Sequence, residues 1–274
     1  MLTLRRCLPN VAHPLNCPGA NAVKIFIVLA HPEPVSYNGQ LFRIAQETLR
    51  ESGHEVRVSD LHSMGFNPAS GFHDVTDPVG SDVFQMQVEQ EHAAQTGTFA
   101  ADIAAEQEKL YWCDLAIFQF PLWWFGIPGI LKGWFDRVLA FGWAYHRRER
   151  FDSGRLRGRR GMISVTTGGP EARFAEGTMF APLDQLLFPV TVGTLQYVGL
   201  EMMEPYIAWA VPRVTDEERQ ANFDRFRERL RGIDTETPMP FHSIQKFPDP
   251  VGETLSEPQG ILEALMEEQK RKSA

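Results

Sequence analysis

The chain of 274 residues has little cysteine, no surplus of positive charge, no glycine-rich phosphate signature and no uninterrupted apolar run long enough to cross a membrane. Cys7, Cys17 and Cys113 lack both metal-ligand spacing and the density of a disulfide scaffold, so a reducing, cytoplasmic setting is expected. With 27 Lys and Arg against 35 Asp and Glu the formal net charge is −8. That is the wrong sign for gripping a phosphate backbone, and nucleic acid is not expected as a partner. Neither G-x-G-x-x-G nor G-x-x-x-x-G-K-S/T occurs, which removes the Rossmann and P-loop phosphate sites. The stretch from Leu115 to Leu131 is broken by Gln119, Pro121, Gly126, Pro128 and Gly129, and falls short of the roughly 20 apolar residues of a membrane helix. The histidines show no cluster spaced for a metal, and no metal site is expected.

What is present is a globular composition, 43% hydrophobic and 23% charged, laid out as strands alternating with helices. Val23 to Ala30 is a near-continuous apolar run, the pattern of a parallel strand covered on both faces. Asn38 is expected to cap a helix reaching about Ser52, with Leu41, Ile44, Ala45, Thr48 and Leu49 on one face and Gly53 after its end. His54 to Ser59 alternates, as an edge strand does. Residues 62–100 read as polar loop with short helical pieces. A helix over Asp102 to Trp112, a strand over Asp114 to Phe120, a helix over Lys132 to Leu139 and a strand over Gly161 to Thr166 follow. A long apolar helix is expected over Pro182 to Leu200 and a fifth strand over Glu201 to Ala208, and Thr215-Asp216-Glu217-Glu218 opens the last helix as a capping box.

This succession calls for a doubly wound α/β domain over residues 23–232, a five-stranded parallel sheet with helices on both faces. Residues 1–22 contain no Asp or Glu and are scattered with proline. A disordered extension, or a start codon placed too early, fits them better than an organelle transit peptide, because they hold no Ser and no amphipathic pattern. Residues 233–274 form a Pro-rich tail in which only Ile261 to Lys272 looks helical.

Three unusual loops, 31–38, 120–128 and 167–177, each follow a strand. In an open α/β sheet such loops meet at the carboxyl edge, where ligands bind. His31, Ser36, Tyr37 and Asn38 set side-chain donors beside the amides of a helix N-terminus, a seat for a diphosphate, although helix capping by Ser36 or Asn38 is the plainer explanation of either. Pro121-Leu122-Trp123-Trp124-Phe125 holds three large rings in a loop closed by Pro128, more than core packing requires, and suits a flat ring. Thr166-Thr167-Gly168-Gly169 ends a strand in a paired-glycine turn that lets a ligand approach the backbone.

Together with Phe66-Asn67-Pro68, Ile103 to Leu110 and Glu204-Pro205, these segments resemble the NAD(P)H:quinone oxidoreductase (DT-diaphorase) family of flavodoxin-like flavoproteins, over roughly residues 23–240. The resemblance implies FAD, with FMN the other flavin the pattern admits, NAD(P)H as co-substrate and a quinone-like acceptor. It also implies two-electron, ping-pong transfer through flavin N5 and a homodimer whose site is completed by the second subunit. By the same resemblance His31, Ser36, Tyr37 and Asn38 hold the diphosphate, Pro121 to Phe125 lie along the flavin, Thr166 to Gly169 meet its pyrimidine side, and Gln85 and Arg219 contact FAD. Trp124, Phe125, Tyr145, Arg147, Gly168 and Phe174 line the nicotinamide and quinone pocket.

The chain departs from the family in two places. The family Tyr and His that stabilise charge on the reduced flavin and relay a proton are replaced, the Tyr by Phe174 and the His by Met179 or Phe180, depending on a one-residue gap. Arg147 stands where a family pocket carries an aromatic residue. No catalytic side chain is therefore assigned, and main-chain amides or water are left to take up the charge. In one branch of the family two histidines and a cysteine bind zinc; the histidine positions are Val192 and Gln196 here. A second reading is a flavodoxin-like ancillary subunit of a potassium-efflux system, with turnover incidental.

Overall fold

A computed structural model describes residues 22–80, 82–147, 149–241 and 271. The parallel sheet runs β2–β1–β3–β4–β5, where β1 is Lys24–Leu29, β2 Glu55–Asp60, β3 Leu115–Pro121, β4 Arg160–Thr166 and β5 Glu201–Met202. A sixth strand, β6 (Tyr206–Ala208), pairs with β4 beyond β5. All pairings are parallel, and β2, which is mostly half-buried, lies at the edge. The single fifth strand expected over 201–208 is thus two short ones. Pro205 has no N–H for the ladder and biases the residue before it away from helix, so pairing lapses at Glu204-Pro205 and resumes at Tyr206.

The helices are α1 (Tyr37–Glu51), α2 (Met86–Thr96), α3 (Ala101–Trp112), α4 (Gly129–Val138), α5 (Leu183–Val190) and α6 (Asp216–Arg231). Alternate residues of β1 sort the two faces. Ile25, Ile27 and Leu29 pack with Leu41 and Leu49 of α1 and Phe223, Phe226 and Leu230 of α6. Phe26 and Val28 pack with Leu110 of α3, Trp134 and Phe135 of α4 and Leu183 and Leu187 of α5. Burial on both faces is what an uninterrupted apolar strand demands. Among the described residues no helix is long and apolar enough to cross a membrane.

Several boundaries differ from expectation, each for a local reason. Ser36, not Asn38, caps α1, its Oγ accepting from Gly39 N at 3.1 Å. The fourth helix starts at Gly129 directly after Pro128, three residues before Lys132. The long apolar helix stops as an α-helix at Val190 and continues as a π-helical turn, Thr191–Gln196, because Pro189 interrupts the ordinary ladder. Within the segment read as loop, α2 runs for 11 residues. Its buried face is polar, which hides it from hydrophobic periodicity: Glu89 accepts from Val79 N and Gly80 N at 2.8 and 3.1 Å, and Gln90 bonds Asp136 O and Phe141 N. The capping box stands, with Thr215 N donating to Glu218 Oε2 at 2.8 Å and Glu218 N to Thr215 Oγ1 at 3.2 Å.

Residues 1–21 and all of the segment 242–274 except Arg271 lie outside the described residues, and with them Cys7, Cys17 and nearly all of the expected helix Ile261 to Lys272. The tail's first residues return to the sheet, Met239 N donating to Met202 O at 2.7 Å.

Candidate functional site

The carboxyl ends of β1, β3 and β4 bring the three loops together. The rings of His31 and Trp123 stand 5.6 Å apart. Leu122 N donates to Thr166 O at 2.8 Å, and Phe125 meets Phe180 edge-on at 5.0 Å.

In the first loop the chain turns so tightly that a Cβ on Gly39 would sit 2.1 Å from Pro34 O. Ser36 is spent as the cap of α1. Asn38 turns inward: its Nδ2 donates to Thr166 Oγ1 at 2.9 Å, and its Oδ1 accepts from Gln119 Nε2 at 2.8 Å. This buried bridge ties the first turn of α1 to the last residues of β3 and β4. Tyr37 rests on Phe223 with its hydroxyl buried and unpartnered. Burial pushes the Tyr37 phenol up, against the charges of Arg219 and Arg225. Arg219 itself pairs with Asp216 at 2.9 Å. Burial holds the His31 imidazole below its usual range. What the loop offers an anion is therefore His31 and the amides that open α1, with the Tyr37 hydroxyl buried behind them and Arg219 paired with Asp216.

The aromatic loop is a tight turn in which Trp123 N donates to Gly126 O at 3.1 Å and Gly126 N to Trp123 O at 3.0 Å. Between them Trp124 and Phe125 adopt φ of +50° and +58°. Left-handed backbone in two consecutive bulky residues costs about 1–3 kcal/mol at each and marks functional turns. The turn leaves Trp124 97% exposed and Trp123 and Phe125 nearly half exposed. The amides of Trp124 and Phe125 donate to no group among the described residues.

At the end of β4 every carbonyl from Thr166 to Gly169 is taken. Thr166 O accepts from Leu122 N, Thr167 O from Val211 N at 3.0 Å, and Gly169 O from Ala210 N at 3.0 Å and Thr167 Oγ1 at 2.7 Å. Gly168 O accepts from the Arg213 guanidinium. The amides of Gly168 and Gly169, by contrast, donate to no group among the described residues. The space a Cβ would take on Gly168 is open. The turn therefore presents donors and withholds acceptors.

Phe174 is buried against Phe180 at 5.2 Å and Trp209 at 5.4 Å. Phe180 joins that cluster to Phe125, whereas Met179 is 84% exposed. The wall beyond the glycine turn is thus lined by rings, with the stem of Arg173 beside them, its Cδ 3.6 Å from the place of a Cβ on Gly169. Tyr145 packs on Phe141 and Tyr197 at 5.4 and 5.5 Å, and among the described residues its ring contacts no ring of the aromatic loop. Gln85 opens α2, its carbonyl accepting from Glu89 N. His146 stacks on Phe141 and approaches Glu91 at 3.3 Å, and among the described residues no group of side chains could hold a metal ion.

Trp209, Ala210 and Arg213 entered no sequence reading, and Gln119 entered only as a break in an apolar run. No motif marks them; they matter through contacts made across the fold. A planar heterocycle with acceptors on one edge and an anionic tail fits this donor set, as a flavin dinucleotide does.

The family model for the flavodoxin-like fold matches residues 23–231. The chain is 37% identical over 225 residues to NAD(P)H dehydrogenase (quinone) 1 of Rattus norvegicus, covering 82% of each. It is 39% identical over 217 residues to ribosyldihydronicotinamide dehydrogenase (quinone) of Mus musculus, covering 79% of this chain and 94% of that protein. The solved NAD(P)H:quinone oxidoreductase of Methanothermobacter marburgensis superposes with a TM-score of 0.61 at 28% identity, over 78% of this chain and 98% of that one. A shorter match, 38% over 136 residues and 48% of this chain, is to the ancillary protein KefF of a glutathione-regulated potassium-efflux system in Klebsiella aerogenes.

Proposed function

Because the chain belongs to the NAD(P)H dehydrogenase (quinone) family of the flavodoxin-like fold, we propose that it is a flavin-dependent NAD(P)H:quinone oxidoreductase that holds FAD at the carboxyl edge of its sheet. The observation that carries this reading is the pair of donor-presenting turns. The amides of Trp124, Phe125, Gly168 and Gly169, on loops that leave the carboxyl ends of β3 and β4, donate to no group among the described residues, and exposed rings stand beside them. When bound, FAD supplies hydride chemistry at N5, accepting from NAD(P)H and passing two electrons to a quinone after the nicotinamide has left, a ping-pong order.

The chain's own residues bind and orient. His31, Tyr37 and Arg219 with the amides of α1 take the diphosphate and adenylate end, and Pro121 to Phe125 with Thr166 to Gly169 border the ring. Asn38 acts from behind through Thr166, and Gln85 contacts the cofactor through the loop before α2. Trp124, Phe125, Gly168 and Phe174 line the acceptor pocket, and an apolar wall excludes water from it. Tyr145 and Arg147 join the pocket of a second copy in a homodimer. The catalytic unit spans residues 23–232, flanked by an N-terminal extension and a Pro-rich tail, and works in the cytoplasm.

The test is bound-flavin identification on purified full-length protein, followed by steady-state kinetics with NADH and NADPH against menadione and benzoquinone. Yellow protein releasing FAD and giving parallel double-reciprocal lines is expected. Colourless protein that neither FAD nor FMN reconstitutes refutes the reading. The missing Tyr and His favour the ancillary-subunit reading in one respect, so turnover no faster than free flavin, with a transporter co-purifying, would decide for it. Light scattering behind size exclusion tests the dimer; a fully active monomer refutes it.

A further inference from the structure

We propose that Arg213, acting through the Gly168–Gly169 peptide, supplies the positive charge that the absent Tyr and His leave unprovided, and so sets the reduction potential of the bound flavin. The inference rests on the flavin-binding reading above and assigns a positioning residue to it.

The geometry begins with the segment between β6 and α6. Ala210 adopts φ +52°, an unusual value for alanine that is held by its amide's bonds to Gly169 O and Thr167 Oγ1. Val211 N reaches Thr167 O, and the Arg213 amide closes back on Ala210 O at 2.8 Å. The segment is thereby laid along the rear of the glycine turn, and the Arg213 side chain ends on Gly168 O. Among the described residues Arg213 forms no ion pair, so its charge is not cancelled by a carboxylate.

Gly168 C=O and Gly169 N–H belong to one resonant peptide unit. A guanidinium on the oxygen draws electron density toward it and makes the nitrogen's hydrogen a stronger donor, as charge-assisted and chained hydrogen bonds do. That amide donates to no group among the described residues, and on the flavin-binding reading above it meets the cofactor edge on which reduction places negative charge. Charge developing there meets a donor already oriented and polarised, which is where a fixed dipole stabilises most. Because arginine stays protonated throughout the working range, the device needs no titrating side chain. Phe174, Phe180 and Trp209 fill the same wall with rings, and the stem of Arg173 runs beside Gly169, its Cδ 3.6 Å from the place of a Cβ there.

The experiment measures the two-electron midpoint potential and the oxidised-flavin affinity of the wild type, Arg213→Gln and Arg213→Lys, each as full-length holoprotein. Arg213 is exposed, so a thermal midpoint within error of the wild type is expected for both variants. Arg213→Gln keeps a donor and loses the charge. It should weaken binding of the reduced flavin relative to the oxidised form about tenfold, a drop of about 30 mV for a two-electron couple. Oxidised-flavin affinity should change less than threefold, and Arg213→Lys should recover most of the potential. An unchanged potential in Arg213→Gln, or a lysine variant as low as the glutamine one, overturns the proposal while leaving the flavoprotein reading intact. A wild-type chain that binds neither FAD nor FMN overturns both.

Discussion

At the amino end of the sheet Arg159 donates twice to Tyr111 O, Arg160 donates to Ile233 O and Asp234 O, and Lys24 N is met by Asp114 Oδ2 at 2.9 Å. At the carboxyl end of the same strands four amides lack partners, two bulky residues are held left-handed, and a tryptophan is almost fully exposed. Backbone groups left unmatched cost free energy, so a fold tolerates them where something else is to complete them. One end of the sheet is finished by the chain itself; the other leaves donors open for the flavin proposed above.

The largest effect that would break this contrast lies in the bridge beneath the carboxyl end. Asn38→Leu orphans Gln119 and Thr166, both buried, at about 1–3 kcal/mol for each group. Chemical denaturation should show stability and flavin retention falling together; a variant as stable as the wild type would remove the bridge from the account. Trp124→Gly separates the two properties. It relaxes a strained φ and removes a side chain that packs on little, so the thermal midpoint should hold or rise while flavin affinity drops tenfold or more. Arg159→Ala does the reverse at the other end, costing about 1 kcal/mol of stability with flavin affinity unchanged.

Two smaller effects sharpen the comparison. His31 is held below the ordinary 6.5 by burial. A folded value below the unfolded one means the stabilisation is whole above about pH 6.5 and is lost as pH falls through the folded value. In denaturation at a series of pH values, His31→Gln should lose less stability than the wild type on the acid side. Smallest of all is Phe174→Tyr. With charge carried by amides, flavin bleaching in stopped flow should be nearly flat from about pH 6 to 8, and the added hydroxyl should alter the rate less than twofold. A pronounced ionisation near pH 6.5 would show that a side chain has taken over the relay.

The sheet was legible because β1, β3 and β4 are apolar on both faces and nothing else in the chain looks like them. The aromatic loop stood out because prolines bracket three rings. Its left-handed turn did not, since Trp124 and Phe125 are residues that ordinarily avoid that conformation, and no local rule selects them for it. The role of Asn38 was misassigned to a cap because its partners lie 81 and 128 residues away. Helix α2 was hidden by a buried face made of Glu89 and Gln90, and the segment 209–213 by having no pattern at all. Pro189 did announce the break before the π-helical turn, but hydrophobicity over 182–200 outweighed it.

The short strands beside β4 carry a consequence for how the molecule meets copies of itself. β5 and β6 are two and three residues long with Pro205 between them, and the opposite border, β2, bears Glu55, Arg57 and Asp60. A neighbouring chain seeking to lengthen the sheet finds no continuous row of amides at β5 and β6, and at β2 it meets charged side chains; both are devices that oppose edge-to-edge growth of a sheet.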